Sequence, residues 1–282
     1  MSFTSATTPA SFGADRDWLL RFCPPDATTA LAALFEIEQE ISASLKTGLE
    51  HAVAHTRLEW WAEELDRLTR GIPRHPATRT LASSALELGA TPPDLSAFIE
   101  QIRVDLACVA FLTREELDEY FGGWGRSIFR TAALIAIDPT YLTPAHTEAR
   151  SAAERLASIA GPMVCEIERL RHFSRHARVG RIYVPLGDPP TPHAPWVALP
   201  LGEDERRALQ SRRDVLCDAL RQCASDTEPS SRPALRVPLL WMSIAMAPDR
   251  DEDAILAPVR RTISTWRDAL AVSRGKLPSA LI

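Results

Sequence analysis

The chain has 282 residues, of which 45% are hydrophobic and 24% charged, a balance typical of a globular protein with a sizeable core. Its formal net charge of -5 disfavours nucleic acid as the main partner, because binding to phosphates needs a concentrated excess of Lys and Arg. Five scattered cysteines, none of them in a CxxC pair, argue against a disulfide framework and against a structural zinc site.

The N-terminal sequence and the apolar runs bear on location. The first residues, MSFTSATTPASFGADRD, lack the basic region and the apolar core of a secretory signal. No stretch approaches the roughly 18 consecutive apolar residues of a membrane-spanning helix. We therefore expect a cytoplasmic protein with at most peripheral contact with the inner membrane.

Helical patterns dominate the first half of the chain. Residues 1–14 are small and polar, which predicts a flexible N-terminus. Pro24-Pro25 precedes a run of helix-forming residues, ALAALFEIEQEISASL. A second helix is predicted over 55–70, because Gly71-Ile72-Pro73 supplies a usual stop. Two more are predicted from His75-Pro76 onward and over 92–106.

The second half begins with a capping box. Thr113-Arg-Glu-Glu fits the pattern S/T-x-x-E and predicts a helix over 113–137. Apolar residues recurring at three- and four-residue spacing predict one long helix over 145–174. Residues 177–202 are rich in Pro and Gly and predict an irregular segment. Helices are also expected over 202–223, 235–246 and 251–273. Because strand signals are nearly absent and no break in composition occurs, we predict an all-α single domain over 15–282.

Several short motifs occur in a fixed order. The sequence RLEWWAEELDRLTRGIPRHP begins at Arg57, and FCPP at Phe22 precedes the ALFEIEQEI helix. Asp105-Leu106 is followed by TREELDEY, which ends at Tyr120, and Leu170-Arg171 is followed by GRIYVP. Together these motifs resemble the squalene/phytoene synthase family, and the likeness covers about residues 22–185.

The resemblance implies a helical bundle of the isoprenoid synthase type around a central cavity. In this family two aspartate motifs on facing helices hold Mg²⁺ ions, which bind the diphosphates of two prenyl substrates. Carboxylates suit this task because Mg²⁺ prefers oxygen ligands and bridges them to phosphate oxygens. The implied activity is a prenyl transferase of isoprenoid (squalene, hopanoid or carotenoid) biosynthesis that condenses farnesyl or geranylgeranyl diphosphate.

The second aspartate motif has been replaced in this chain. Counting back from GRIYVP, the two aspartate positions fall on His172 and His176. The Gln and Asn positions upstream fall on Cys165 and Glu168. Neutral imidazole suits Zn, Fe or Ni, and a protonated imidazole repels Mg²⁺, so this motif is not expected to hold Mg-diphosphate.

The first aspartate motif is altered as well. FEIEQEI offers Glu36, Glu38 and Glu40 where the family has D-D-x-x-D. Glu36 and Glu40 keep the i, i+4 spacing, so they are candidate ligands of one altered Mg²⁺ site, or a solvated helix face. Tyr120 remains as a candidate catalytic residue, although the second Tyr of the family's Y-x-Y segment is Gly122.

Three arginines persist as candidates for binding a diphosphate or another anionic head group, because guanidinium groups pair well with phosphates. They are Arg57, Arg171 and Arg181. Other features have ordinary structural explanations. One of Trp60 and Trp61 should be core and the other partly exposed. Asp105 is expected to pair with a neighbouring Arg, His75-Pro76 to form a structural turn, and the glycines of residues 122–125 to permit close helix packing.

Three functions follow from these features. The loss of both aspartate motifs resembles the mitochondrial complex I assembly factor of this family and implies a pseudoenzyme that binds an isoprenoid, another apolar ligand or a partner protein. The second hypothesis is an active prenyl transferase that uses Mg²⁺ with Glu36 and Glu40. The third is different chemistry at a transition-metal site of Glu168, His172 and His176, whose spacing of four would place them on one stripe of a continuous helix.

Overall fold

The computed structural model describes residues 10–87, 92–137, 147–186, 194–247 and 257–282. These residues form helices joined by turns, without a strand in the described ranges, which confirms the all-α prediction. The helices are α1 (Ala10–Leu20), α2 (Pro25–Ser42), α3 (His51–Thr69), α4 (Pro76–Glu87), α5 (Ser96–Ala107), α6 (Arg114–Trp124), α7 (Arg130–Ile135), α8 (Thr147–Arg171), α9 (Phe173–Ala177), α10 (Ala194–Val197), α11 (Glu203–Ser225), α12 (Arg236–Met246) and α13 (Ala257–Ser273).

Two helix starts follow from the local sequence. Proline stands at the first position of α2, where its missing N–H removes no intrahelical hydrogen bond. At α6 the predicted capping box is confirmed, since the Thr113 hydroxyl accepts from the Glu116 N–H and the Glu116 carboxylate accepts from the Thr113 N–H, both at 3.3 Å. The predicted helix end at Asp138 and the predicted helix start at Asp251 lie outside the described ranges.

The segment between α6 and α7 confirms the close packing expected of the glycines. Residues Gly125–Phe129 form a π-helical turn that joins α6 to α7. A Cβ atom on Gly125 would lie 2.7 Å from the Cδ of Pro162 in α8, and one on Gly161 would lie 2.8 Å from the Gly125 Cα. The two helix backbones therefore touch at this point.

Helix α8 ends earlier than predicted. It stops at Arg171, and His172, with φ -107° and ψ 24°, caps the separate helix α9. The amides of Arg175 and His176 hydrogen-bond to the His172 carbonyl, so the helical ladder restarts there. The restart lets Phe173 enter a small apolar cluster with Ala177, Ile182, Leu186 and Leu201. The prediction of one continuous helix over 145–174 is therefore wrong at its C-terminal end.

The main core is one cluster built from most of the helices, with α2, α8 and α12 among them. All residues of α12 from Val237 to Met246 are buried, and α2 contributes the buried stripe Leu31, Leu34, Ile37 and Ile41. Helices α4, α6, α7 and α11 pack around these three helices. None of the helices in the described ranges combines the length and apolar character needed to cross a membrane.

Candidate functional site

A buried arginine lies between two carboxylates from facing helices at the centre of the bundle. Arg16 of α1 donates to Glu38 of α2, from Nε at 3.2 Å and from Nη2 at 3.1 Å. It also donates to Glu168 of α8, from Nη1 at 2.7 Å and from Nη2 at 3.0 Å. All four carboxylate oxygens thus accept a guanidinium hydrogen bond, an arrangement of two bidentate pairs. We call these three residues the Arg16 clamp.

Aromatic side chains enclose the clamp. The Trp124 indole donates to Glu38 at 2.8 Å, and the Trp241 indole donates to Glu168 at 3.1 Å. The Arg16 guanidinium lies 4.5 Å from the centre of the Trp241 ring, a distance suited to a cation–π interaction. Both indole rings also contact Phe129. Because water is kept away, each charge depends on its protein partners.

Interactions within the clamp favour the charged forms of both Arg16 and Glu168. Burial alone would lower the pKa of Arg16, but the charges of Glu168 and Glu38 and their hydrogen bonds raise it above its ordinary value. Burial likewise opposes ionisation of Glu168, yet the charge and hydrogen bonds of Arg16 and the Trp241 N–H leave its pKa lowered. The clamp therefore holds a protein cation between α2 and α8.

The structure turns the two predicted glutamates of α2 away from this centre. Glu36 and Glu40 are exposed on the outer face of α2, and Glu40 pairs with Arg57. Glu38 faces inward because it continues the buried stripe of Leu34 and Ile41 at four- and three-residue spacing. That spacing was the signal in the sequence that distinguishes Glu38 from its neighbours.

A second buried polar group forms between α5, α6, α8 and the segment after α9. Asp105 Oδ1 accepts from the Tyr120 hydroxyl at 2.8 Å and from the Tyr183 hydroxyl at 2.6 Å. Arg169 lies 3.5 Å from Asp105 Oδ2, which confirms the expected ion pair with an arginine. The backbone carbonyl of Asp105 accepts from Arg181 at 2.9 Å. We call Asp105, Tyr120, Arg169 and Tyr183 the Asp105 cluster.

Two second-motif residues border this cluster. Cys165 is buried and accepts a weak hydrogen bond from Gln101 at 3.6 Å, and burial raises the pKa of its thiol to about 12. His176 packs edge-on against Tyr183. Burial first, and then the charge of Arg169, lowers the pKa of His176 to about 2. Within the described ranges its Nε2 has no hydrogen-bond partner. The structure thus places a neutral thiol and a neutral imidazole here.

The arginines proposed to bind an anionic head group are engaged elsewhere. Arg171 bonds the Asp15 carboxylate at 3.3 Å and the carbonyls of α12 residues near Ala245. Arg57 bonds the carbonyl of Glu40 at 2.8 Å. With Arg181 on the Asp105 carbonyl, the three arginines lie at separate places and do not converge on one site.

The structure does not support the transition-metal interpretation. Glu168 is held in the Arg16 clamp, and the break at His172 removes the shared helical stripe on which that interpretation rested. Among the residues that the structure describes, no three His, Cys, Asp or Glu side chains are placed to hold a metal ion.

The tryptophan motif of α3 has a structural role that the sequence only partly indicated. Trp61 is buried and Trp60 is 42% exposed, as expected for adjacent helical residues. The missed residue is Glu64, which accepts from the backbone N–H groups of Arg74 and His75 at 2.7 and 2.8 Å. These bonds fix the turn before α4, which confirms that His75-Pro76 is structural.

The sequence and the helical architecture are similar to those of known proteins. The squalene/phytoene synthase family model matches residues 12–188. The structure is similar to squalene synthase HpnC from Alicyclobacillus acidocaldarius, with 19% identity, a TM-score of 0.60, and coverage of 90% of this chain and 96% of that chain. It is also similar to a dehydrosqualene synthase solved with a ligand, with 12% identity, a TM-score of 0.60, and coverage of 91% and 95%.

No curated protein sequence is significantly similar to this chain. The two structural likenesses show the fold, whereas the family model extends over more than half of the chain, from the first helix through the segment GRIYVP. The chain therefore belongs to the squalene/phytoene synthase family.

Proposed function

We propose that this chain has lost the condensing reaction of its family and acts as a binding or assembly protein on the same bundle. The observation that carries the proposal is the Arg16 clamp. Where the family resemblance implies carboxylates that hold Mg²⁺ between two facing helices, α2 and α8 present carboxylates that hold a guanidinium. A cation supplied by the protein thus takes the place of cations that arrive with the substrate.

The residues present do not fit Mg²⁺ at this position. Mg²⁺ requires near-octahedral oxygen ligands with free lone pairs. Each oxygen of Glu38 and Glu168 already accepts from Arg16, and one oxygen of each also accepts from an indole. A metal ion would have to displace a buried, bidentately bonded cation of like sign, which is unfavourable. Stabilising a departing diphosphate needs positive charge that is free to meet it.

The test is an assay for diphosphate release. Purified protein is incubated with radiolabelled farnesyl or geranylgeranyl diphosphate, Mg²⁺ or Mn²⁺ and NADPH, beside an active squalene synthase. We expect no release above the protein-free control. Release together with a squalene- or phytoene-type product would overturn the proposal. A thermal shift caused by the same ligands without release would support a retained binding role.

One observation favours the alternative of an active prenyl transferase. Glu38 and Glu168 are still two carboxylates on facing helices, and the cation between them belongs to the N-terminal helix α1. If α1 moved away during turnover, both carboxylates would become available. The variant Arg16→Ala distinguishes the two hypotheses. Diphosphate release by the variant and by the unmodified protein would favour the transferase, and release by neither would favour our proposal.

A further inference from the structure

A surface pocket lies apart from the Arg16 clamp, between α9, the loop before α11 and the first turn of α11. Its volume is about 400 Å³, within the range of small-molecule sites. Its lining combines cationic, hydroxyl and apolar side chains: Ser174, Arg178, Leu199, Pro200, Leu201 and Arg206. We propose that this pocket binds a phosphate ester that carries an apolar tail.

Arg178 and Arg206 supply the positive charge for binding a phosphate group. Within the described ranges neither Arg178 nor Arg206 makes an ion pair with a carboxylate. Arg206 donates from Nη1 to the carbonyl of Leu201 at 2.6 Å, which holds its guanidinium at the pocket and leaves other N–H groups to donate. Guanidinium groups bind phosphate oxygens through such paired donors. The Ser174 hydroxyl offers a further donor.

Nearby carboxylates do not pair with these two arginines. The first turn of α11 contains Glu203, Asp204 and Glu205; Glu203 and Asp204 pair with Arg207, and Glu205 turns back toward Gly202 without an ion pair to Arg178 or Arg206 within the described ranges. On the other side of the pocket, residues 169–187 contain five arginines and no Asp or Glu, in a chain whose net charge is -5. Among these, Arg169 and Arg171 pair with the carboxylates of Asp105 and Asp15, whereas Arg178 is exposed at the pocket.

The apolar side chains of the lining are the part of the pocket that we assign to the ligand's tail. Leu199, Pro200 and Leu201 form one side of the pocket, and Leu201 packs into the small cluster around Phe173. Close to the lining in sequence, Val179 is 38% exposed and Val197 is 45% exposed. Exposed apolar side chains therefore stand within two residues of the lining in sequence, and we expect a chain attached to a bound phosphate to cover apolar surface there.

Soluble amphiphiles and bilayer lipids both include phosphate esters that carry an apolar tail, so the experiment tests both sources. The first probe is dihexanoyl phosphatidic acid, titrated into the full chain in a calorimeter, with inorganic phosphate as the comparison. We expect the short-chain lipid to bind, and inorganic phosphate to bind more weakly because it lacks the tail. The double variant Arg178→Ala/Arg206→Ala should weaken lipid binding at least about tenfold.

The matched control removes two exposed arginines that lie outside the pocket lining and its flanking turns, Arg70→Ala/Arg126→Ala, and should leave binding unchanged. If the double variant does not fold, the single variant Arg178→Gln replaces it. The absence of lipid binding, equal binding of inorganic phosphate, or equal losses in both double variants would overturn the proposal.

Co-sedimentation with vesicles identifies the source of the ligand. Binding to phosphatidylcholine vesicles that contain phosphatidylglycerol, lost in the Arg178→Ala/Arg206→Ala variant, would assign the pocket to a bilayer lipid. Calorimetric binding without co-sedimentation would assign it to a soluble amphiphile. This proposal names a ligand class for the binding role, but its site is separate from the clamp. Diphosphate release would thus overturn the proposed function without affecting the pocket result.

Discussion

The Arg16 clamp and the Asp105 cluster are both buried and polar, yet they differ in how completely their atoms are paired. In the clamp, every oxygen of Glu38 and Glu168 accepts a hydrogen bond. In the cluster, Asp105 Oδ1 accepts two hydroxyls, while Oδ2 has no hydrogen bond within the described ranges, and neither has the adjoining His176 Nε2. The clamp is closed to a new ligand, whereas the cluster keeps unused acceptors.

We propose that this difference marks which region has been altered relative to the family. The Asp105 cluster includes Asp105, Tyr120 and part of GRIYVP, which resemble family motifs. The clamp carboxylates Glu38 and Glu168 lie in the segments that correspond, by the same resemblance, to the aspartate motifs. Because a satisfied ion network in an apolar setting leaves no charge free to meet a diphosphate, the altered region accounts for the proposed loss of catalysis. Three further measurements can break or sharpen this comparison.

The largest effect is expected from Arg16→Met. The change leaves Glu38 and Glu168 as two uncompensated buried carboxylates, which should reduce the free energy of unfolding by about 3–5 kcal/mol. Urea denaturation at pH 7 measures the loss. The control Arg21→Met removes an exposed arginine just after α1 and should cost less than about 1 kcal/mol. Equal losses in the two variants would show that the clamp is not an essential ion network.

An intermediate effect is expected from acid, through His176. The folded chain holds this imidazole neutral, with a pKa of about 2, while in the unfolded chain it titrates near 6.5. Below pH 6.5 the unfolded state binds a proton that the folded state does not, so stability falls as pH falls. The contribution is about 1.4 kcal/mol per pH unit, or roughly 2 kcal/mol between pH 6.5 and pH 5.

The variant His176→Gln isolates the contribution of His176 to the pH dependence of the unfolding free energy. Its unfolding free energy should lose about 2 kcal/mol less than that of the unmodified protein over the same pH interval. The charged and titratable groups around His176 are Arg169, His172, Arg175, Arg181 and Tyr183, and all remain in the variant. Identical profiles for the two proteins would mean that the His176 site is open to protons.

The smallest effect is expected on the outer face of α2. The double variant Glu36→Ala/Glu40→Ala removes two exposed carboxylates and one surface ion pair to Arg57, which should change the unfolding free energy by less than about 1 kcal/mol. Thermal and urea denaturation measure it. The variant also tests the transferase hypothesis, because a drop in any diphosphate release would assign those glutamates to catalysis.

Much of the fold could be predicted because its signals are local. The capping box at Thr113, the stop at Gly71 and the apolar spacing of α2 and α8 each depend on residues within a turn or two of one another. The break at His172 could not be predicted in this way. It depends on Phe173 joining a cluster that includes Leu201, a residue far along the chain.

The centre of the site was predicted only in part for the same reason. Glu168 was named from its place in the motif, but its partner Arg16 is 152 residues away and lies just after a stretch predicted to be flexible. Glu38 was considered together with its neighbours, and the i, i+4 metal pattern favoured Glu36 and Glu40, which lie exposed on the outer face of α2. The buried stripe of α2 was the better guide, because a helix face is decided by what it packs against.

The clamp joins residues that are far apart in sequence, and this separation has a consequence for folding during synthesis. Arg16 leaves the ribosome before Glu38, which follows 22 residues later, and Glu168 follows 152 residues after Arg16. Until then the guanidinium can neutralise one carboxylate, and the other half of the network does not exist. Since non-local contacts form only after the intervening chain has closed, α1 should reach its final position late, after α8 has been made and packed.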